Sequence, residues 1–465
     1  MKAMVLGGGP GGYVCAIRLA QLGAEVTLVE KEKLGGTCLN VGCIPTKALL
    51  QSAELYETFH KESAVFGLKA EKLSYDWKAI QKRKEGVVNQ LVQGVGSLLK
   101  SNGVTVIYGK GKFTGANELT VETAEGTKKV AFDSAVIATG SVPKVPPIPG
   151  VETEGVITSN GALALEEVPK SLCIVGGGVI GCEFAGLYSA LGTEVTIVEA
   201  LDAVAATMDK DISAQMRKQL EGAGVKIYTS AKVQGFKPAK GGVEVSVEAP
   251  AGAMKVTAEK VLLAIGRGAK TDDIGLDVLG IETVRGNITV DPKTMRTRQS
   301  NIYAIGDCIG GIQLAHVASA EGTVAAESLM GMKSKMRLDI VPSGIYTRPE
   351  IGSVGMTEAQ AKEKGYKVKT GMFPLMANGK SLVMNEYSGF VKFVTDSETD
   401  EILGLHMVGP RATDLIGEGA LAIRLEATIE EIVTTIHGHP TVSESLHEAA
   451  HAVHGLALHM PKVGR

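Results

Sequence analysis

One unit of sequence occurs twice in this chain, 169 residues apart, and it leaves few folds open. The first copy has a short apolar strand (Met4 to Leu6) running into GGGPGG, with Gly7, Gly9 and Gly12 in G-x-G-x-x-G spacing. A helical run from Tyr13 to Leu22 follows, then a second strand, EVTLVE, ending at Glu30. The second copy is CIVGGGVIG, with Gly176, Gly178 and Gly181, a helical run to Leu191, and EVTIVE ending at Glu199. In both copies the acid stands 18 residues after the last glycine. A lone G-x-G-x-x-G says little. Strand, glycines, helix, strand and terminal acid, twice over, predict two nucleotide-binding α/β units.

Each unit works by the same physics. The first glycine makes the tight turn, the second lets the backbone approach a pyrophosphate, and the third packs helix on strand. The helix start offers free N–H groups to phosphate. The acid accepts hydrogen bonds from ribose hydroxyls. At the second site a 2′-phosphate would be repelled by Glu199, and Ala200, Leu201, Asp202, Ala203 and Val204 supply no cation to hold one. NAD is therefore expected there rather than NADP.

Between the two units lies GGTCLNVGCIPTK, residues 35–47. Cys38 and Cys43 stand five apart, with Pro45 and Lys47 beyond. Proline suits the first turn of a helix, which places Cys43 near a helix N-terminus, where a thiolate is favoured. Two thiols in one loop, one of them activated, read as a redox pair. Together with two nucleotide folds they suggest a relay in which a flavin and a nicotinamide dinucleotide exchange hydride and a dithiol exchanges with a disulfide substrate. Cys15, Cys173 and Cys182 fall in the glycine-turn helices or lead into a strand and read as small core residues. Cys308, next to Asp307, is also expected to be structural.

With 465 residues, the chain is too long for one core. A net charge of −3 makes no case for nucleic acid or an anionic membrane as partner. No apolar run reaches membrane-spanning length. The first strand begins by Ala3, so a cytoplasmic protein is expected, a processed organellar one with a restored Met being the other reading. Residues 46–100 read as a long polar helical region, followed by short strands around Val104–Phe113 and Leu119–Val121. The proline-rich VPKVPPIPG suits a domain crossing, and from about 341 strand patterns such as GFVKFVTD give way to two helical runs.

The chain resembles the flavoprotein disulfide reductases (class I pyridine nucleotide-disulfide oxidoreductases), most closely their dihydrolipoamide-oxidising branch. The motifs that carry this run nearly end to end. They are GGTCLNVGCIPTK, AVIATGS, GGGVIGCEFA, AIGR, IYAIGD, LAHVASAEG, YTRPEIGSVG and HPTVSE. The resemblance implies an α/β fold with two Rossmann-like dinucleotide-binding domains, for FAD and NAD, and a C-terminal α+β dimerisation domain. The divisions expected are 1–146 (FAD and the redox pair), 147–268 (NAD), 269–340 (completing the FAD domain) and 341–465 (dimerisation).

By the same resemblance Cys43 lies nearer the flavin and Cys38 is the interchange thiol. His439, supported by Glu444 five residues on and by neighbouring His437, is the base, and it reaches the other subunit of a homodimer. Lys47 and Glu183 meet beside the flavin. Asp307 holds the ribityl or phosphate region, Ala315 and His316 reach the ring edge, and Gly111 and Gly140 are further FAD contacts. Gly266 of AIGR joins the NAD set. ASAEG has fewer acids than the family commonly shows. The substrate implied is dihydrolipoamide on a separate carrier, since no DKA-type lipoylation hairpin is present. The implied partners are a 2-oxoacid dehydrogenase acyltransferase or a glycine-cleavage carrier.

HEAAH, residues 447–451, matches the H-E-x-x-H pattern of zinc proteases, and His454 follows on the same helical face; no metal is expected there. Among alternatives, glutathione reductases prefer NADP, mercuric reductases carry a further C-terminal Cys pair absent after Cys308, and soluble transhydrogenases lack the dithiol. A flavin-bearing binding module without turnover is the other class of reading, and the set Cys38, Cys43, His439 and Glu444 stands against it.

Overall fold

The computed structural model describes residues 1–69 and 71–461. The last four residues of the expected 341–465 domain lie outside them, as does residue 70 of the polar helical region. Three five-stranded sheets organise the chain.

The first sheet is parallel, in the order Ile302–Ala304, Ser134–Ile137, Lys2–Leu6, Glu25–Glu30, Thr105–Tyr108. The second is parallel too, in the order Val156–Thr158, Lys260–Leu263, Ser171–Val175, Glu194–Val198, Lys226–Tyr228. Register repeats with position: Leu6 pairs with Val29, and Val175 with Val198. Each sheet also carries a three-stranded antiparallel meander, 110–131 in one and 232–258 in the other. The repeat therefore extends well beyond the glycine motifs. The meanders share no motif, so the sequence shows only the part bound by nucleotide chemistry. Strands such as AMVL and LCIV are apolar throughout because helices or meanders cover both faces.

The chain leaves the first unit through Ser141–Pro143 and returns through Arg267–Ala269, and these segments pair antiparallel as a two-stranded ribbon. The third sheet is antiparallel, in the order Ser343–Ile345, Glu350–Gly355, Ile402–Gly409, Phe390–Asp396, Val368–Pro374. Helices Ala412–Arg424 and Glu444–Val453 pack on it. A short helix, Ile429–Thr434, lies between them, so the C-terminal run holds three helices rather than two.

The region 46–100 is two helices, Cys43–Glu62 and Trp77–Ser101, rather than one long run. Gly67 takes a positive φ of 71°, and Asp76 caps the second helix by accepting from the Ala79 N–H. A turn glycine and a fresh N-cap end one helix and begin another, whatever the polarity of the intervening residues.

Trp77, the only tryptophan, marks a seam between units. Its Nε1–H donates to the Leu165 carbonyl at 2.8 Å, and its ring lies 6.4 Å from that of Tyr188. The surrounding core draws on Leu49 and Ala53 of the first unit, Phe184 of the second, and Ile345 and Val408 of the third sheet. Trp77→Ala is expected to cost about 3–5 kcal/mol. Trp77→Phe, which keeps an aromatic ring in the core and removes the indole donor while Gln81 still donates to the Leu165 carbonyl at 3.1 Å, should cost less, about 1 kcal/mol. Denaturation midpoints by circular dichroism check the order; equal losses would deny the hydrogen bond its part.

Candidate active site

The two glycine turns superimpose in their hydrogen bonds. Gly7 N–H donates to Val29 O at 2.8 Å, and Gly176 N–H to Val198 O at 2.9 Å. Gly7 and Gly176 hold φ of 111° and 107°, where a side chain is strained. A Cβ on Gly12 would lie 1.9 Å from the Gly7 carbonyl oxygen, and one on Gly181 would lie 2.0 Å from that of Gly176. Helices Pro10–Gln21 and Val179–Ala190 begin directly after Gly9 and Gly178.

Both acids brace their own turns. Glu30 accepts from Gly8 N–H at 2.7 Å and from Glu32 N–H at 2.7 Å. Glu199 accepts from Gly177 N–H at 2.5 Å and from Leu201 N–H at 2.7 Å. Each carboxylate keeps lone pairs free for ribose hydroxyls. These cradles, whose first and third glycines admit no side chain and whose second leaves open space before the helix start, with a braced acid at the far end, fit a dinucleotide at each site.

Around the first turn the structure gathers most of the FAD set. Helix Ala315–Leu329 starts beside it, since a Cβ on Gly11 would stand 2.9 Å from the Ala318 carbonyl oxygen. Gly111 packs on Leu6 and Val29, the residues just before Gly7 and Glu30. Gly140 has φ of 73°, and its carbonyl accepts from Lys270 N–H at 2.9 Å. His316 turns its Nε2 to the Pro342 carbonyl at 2.8 Å. Gly266, φ 108°, stands at the return ribbon, where its carbonyl accepts from Lys144 N–H at 3.0 Å.

Arg267, passed over in the sequence although it sits in AIGR, ties this region together. Its Nε donates to Ser141 Oγ at 2.8 Å, and its Nη2 to Ser141 O at 2.9 Å and Thr37 Oγ1 at 3.3 Å. The Ser141 hydroxyl in turn donates to Asp307. Glu321, inside ASAEG, was also missed. It accepts from Gly306 N–H at 2.6 Å, and burial pushes its carboxyl up to about 7.

Cys38 lies in the short helix Gly36–Val41, and Cys43 opens helix Cys43–Glu62 across Gly42. Both are free thiols. The Cys38 thiol donates to Cys43, which holds Cys43 down at about 7 against burial, with help from the Lys47 charge. The same hydrogen bond, with burial, pushes Cys38 up. One proton is shared between two sulfurs, and the helix start and Lys47 leave the negative charge on Cys43.

Lys47 Nζ meets Glu183 Oε1 at 2.9 Å and Oε2 at 2.8 Å. Tyr346, also missed, donates its N–H to Glu183 Oε1 at 3.1 Å and sets its ring 4.5 Å from Lys47 Nζ. All three units thus meet at one ion pair.

His439 stands apart from the thiols' surroundings. Its Nδ1 pairs with Glu444 Oε1 at 2.9 Å, and Glu444 Oε2 accepts from Thr441 N–H at 2.8 Å. Burial works to raise Glu444, but the Thr441 N–H and His439 hold it below the usual carboxylate range. The His439 side chain is 79% exposed within its own chain. His437 pairs its Nε2 with Glu418 at 2.9 Å. In HEAAH the two histidine rings pack edge-to-face, 4.6 Å between centroids, while the glutamate turns elsewhere. His447 donates to Val433 O at 2.9 Å, and Glu448 pairs with His459 at 2.8 Å. Among the described residues no His, Cys, Asp or Glu group is arranged to hold a metal ion. No described helix is long and apolar enough to cross a membrane.

Comparison with known proteins fits this arrangement. Residues 1–322 match the pyridine nucleotide-disulphide oxidoreductase family, and 341–450 match that family's dimerisation domain. The chain belongs to this family. It is an FAD-dependent, NAD-linked disulfide oxidoreductase and forms a homodimer. It is 46% identical to a dihydrolipoyl dehydrogenase of Bacillus subtilis, over 98% of each chain. It is 41% identical to the mitochondrial dihydrolipoyl dehydrogenase of Pisum sativum, over 98% of this chain and 92% of that one. LpdA of Mycobacterium tuberculosis superimposes with a TM-score of 0.90 at 29% identity, covering 97% of this chain and 99% of that one.

A testable consequence concerns which sulfur holds the charge. In reduced Cys38→Ser protein the serine hydroxyl can still donate, so Cys43 is expected to stay a thiolate down to near pH 7. In Cys43→Ser protein the remaining thiol should need alkaline pH to ionise. Thiolate absorbance against pH separates the two; the opposite assignment would place the charge on Cys38.

Proposed function

We propose that this chain oxidises dihydrolipoamide to lipoamide and reduces NAD⁺ to NADH, with Cys38 and Cys43 as the redox pair. The observation that carries the reading is the thiol pair at the head of a helix, with Lys47–Glu183 one turn behind. The dihydrolipoyl dehydrogenases among its relatives narrow the disulfide class to the lipoyl group.

In this reading His439 Nε2 takes the proton from a substrate thiol, and Glu444 on Nδ1 fixes the tautomer and steadies the cation. The substrate thiolate attacks Cys38 Sγ of the disulfide, and Cys43 leaves as a thiolate. The second substrate sulfur then attacks the first. Lipoamide is released as Cys38 leaves, and of the two protons given up by the substrate thiols one passes to Cys38 and the other rests on His439. Cys43 leaves readily because the helix start and Lys47 favour its charged form. Bound FAD supplies two-electron transfer between the dithiol and the nicotinamide. Lys47, held by Glu183, places positive charge where the flavin would gain negative charge. Exposure of His439 in its own chain suits a base that serves the partner's thiols, so each site needs both subunits.

The division of labour follows the four segments expected above. Gly7, Gly9, Gly12, Glu30, Gly111, Gly140, Asp307, Ala315 and His316 serve FAD, and Gly176, Gly178, Gly181, Glu199 and Gly266 serve NAD. The carrier of the substrate is the lipoyl arm of a 2-oxoacid dehydrogenase acyltransferase or a glycine-cleavage protein. A cytoplasmic setting belongs to the same reading, supported by four buried thiols that staple nothing.

The deciding experiment is NADH formation from NAD⁺ and dihydrolipoamide, with NADP⁺ run alongside. NAD⁺-specific turnover is expected, and His439→Gln should lower kcat by about 10²- to 10⁴-fold with FAD retained. Intact turnover in Cys43→Ser would sink the mechanism.

A further inference from the structure

Strand Phe390–Asp396 of the third sheet carries a lysine whose side chain is only 2% exposed. Lys392 Nζ lies 3.1 Å from Asp209, 2.6 Å from Asp211 and 2.9 Å from Glu358. Glu358 belongs to the same region as the strand, but Asp209 and Asp211 open helix Lys210–Gly222 of the second unit. The Glu358 N–H donates to Asp209 Oδ2 at 3.3 Å, so the two units are pinned by more than the lysine. A buried ion cluster adds little net stability over an apolar equivalent, yet it tolerates only one geometry, because losing a partner strands a charge.

What it pins is the segment that runs from the NAD-site acid to Asp209. Leu201 N–H donates to Glu199, and Ala205 N–H donates to the Gly177 carbonyl at 2.8 Å. Val204 is fully buried and would press on any Cβ at Gly177 at 3.0 Å. Ser213, on the clamped helix, donates its hydroxyl to Val204 O at 2.5 Å. A continuous path of contacts thus links Lys392 to the glycine turn and its acid. In the first unit, the stretch after Glu30 carries the thiols instead. At the same offset of 169 in the sequence, Ile212 falls where Cys43 stands in the first unit.

We propose that Lys392 is a positioning residue for the adenosine half of NAD, acting through Asp209 and the 200–208 segment on Glu199 and Gly177. The inference rests on the second unit being the NAD site.

The test uses the FAD-loaded dimer. ADP-ribose binding is measured by calorimetry, together with kcat, the KM for NAD⁺, FAD content and the thermal midpoint. In Lys392→Met, the ADP-ribose Kd and the KM are expected to rise about fivefold or more, while kcat and FAD content stay near wild type. Asp211→Asn should move both in the same direction by less, and Lys392→Arg should recover part of the loss. If Lys392→Met does not fold, Asp211→Asn decides, since that side chain is partly exposed. A lower thermal midpoint with unchanged ADP-ribose binding in the folded variants overturns the inference and leaves the functional reading standing. Wild-type protein that binds no ADP-ribose overturns both.

Discussion

The pair Lys47–Glu183 is the contact on which the arrangement of this molecule turns. Lys47 comes from the redox helix of the first nucleotide unit, and Glu183 from the glycine-turn helix of the second. Tyr346 of the third sheet's region closes the junction with an N–H to the carboxylate and a ring beside the ammonium. Glu183 is 5% exposed and Lys47 30%, so neither charge could be left without the other. The same lysine stands one turn from Cys43 and favours its thiolate. One ion pair therefore joins the two dinucleotide units, and its lysine adds to the Cys38 hydrogen bond that keeps negative charge on Cys43, against the opposing charge of Glu183.

The two units also show how one fold carries two chemistries. Turn, helix and braced acid match in both, down to the backbone donors on each carboxylate. They diverge just after the acid. The first unit spends that stretch on a helix start bearing thiols, where the dipole and a lysine activate sulfur. The second spends it on a helix start bearing two aspartates, which anchor it to the third sheet through Lys392. Backbone geometry is shared; side chains at equivalent places decide the use.

Much of the fold was readable because nucleotide binding forces glycines into fixed spacing and ends a strand in an acid. Gly7 to Glu30 and Gly176 to Glu199 could be placed on that ground alone. The thiol loop was readable for a similar reason, since sulfur chemistry needs its residues close in sequence. Contacts made across long separations were not. Arg267 bridges Ser141 and Thr37, and Tyr346 meets Glu183, with no local pattern to mark either. Short strands around Val104–Phe113 and Leu119–Val121 were legible in the first meander, but the second meander was not, because alternating strands without a motif look alike. The break between Glu62 and Trp77 hung on a single turn glycine and a capping aspartate inside a polar stretch.

Residue type and short-range spacing by themselves determined that the chain builds two glycine-turn cradles and one pair of neighbouring thiols, and that the second cradle ends in an acid with no cation in the five residues after it. Those are local matters of backbone freedom and charge, settled within a few dozen residues. Spacing already pointed to Cys43 as the activated thiol; only the tertiary structure decided that the Cys38 thiol and Lys47 together hold charge there, that Tyr346 closes on Glu183, and that His439 faces away from its own chain's packed interior. Those depend on burial and on partners that distant parts of the chain bring within 3 Å or so of one another, and spacing along the sequence holds no record of that distance.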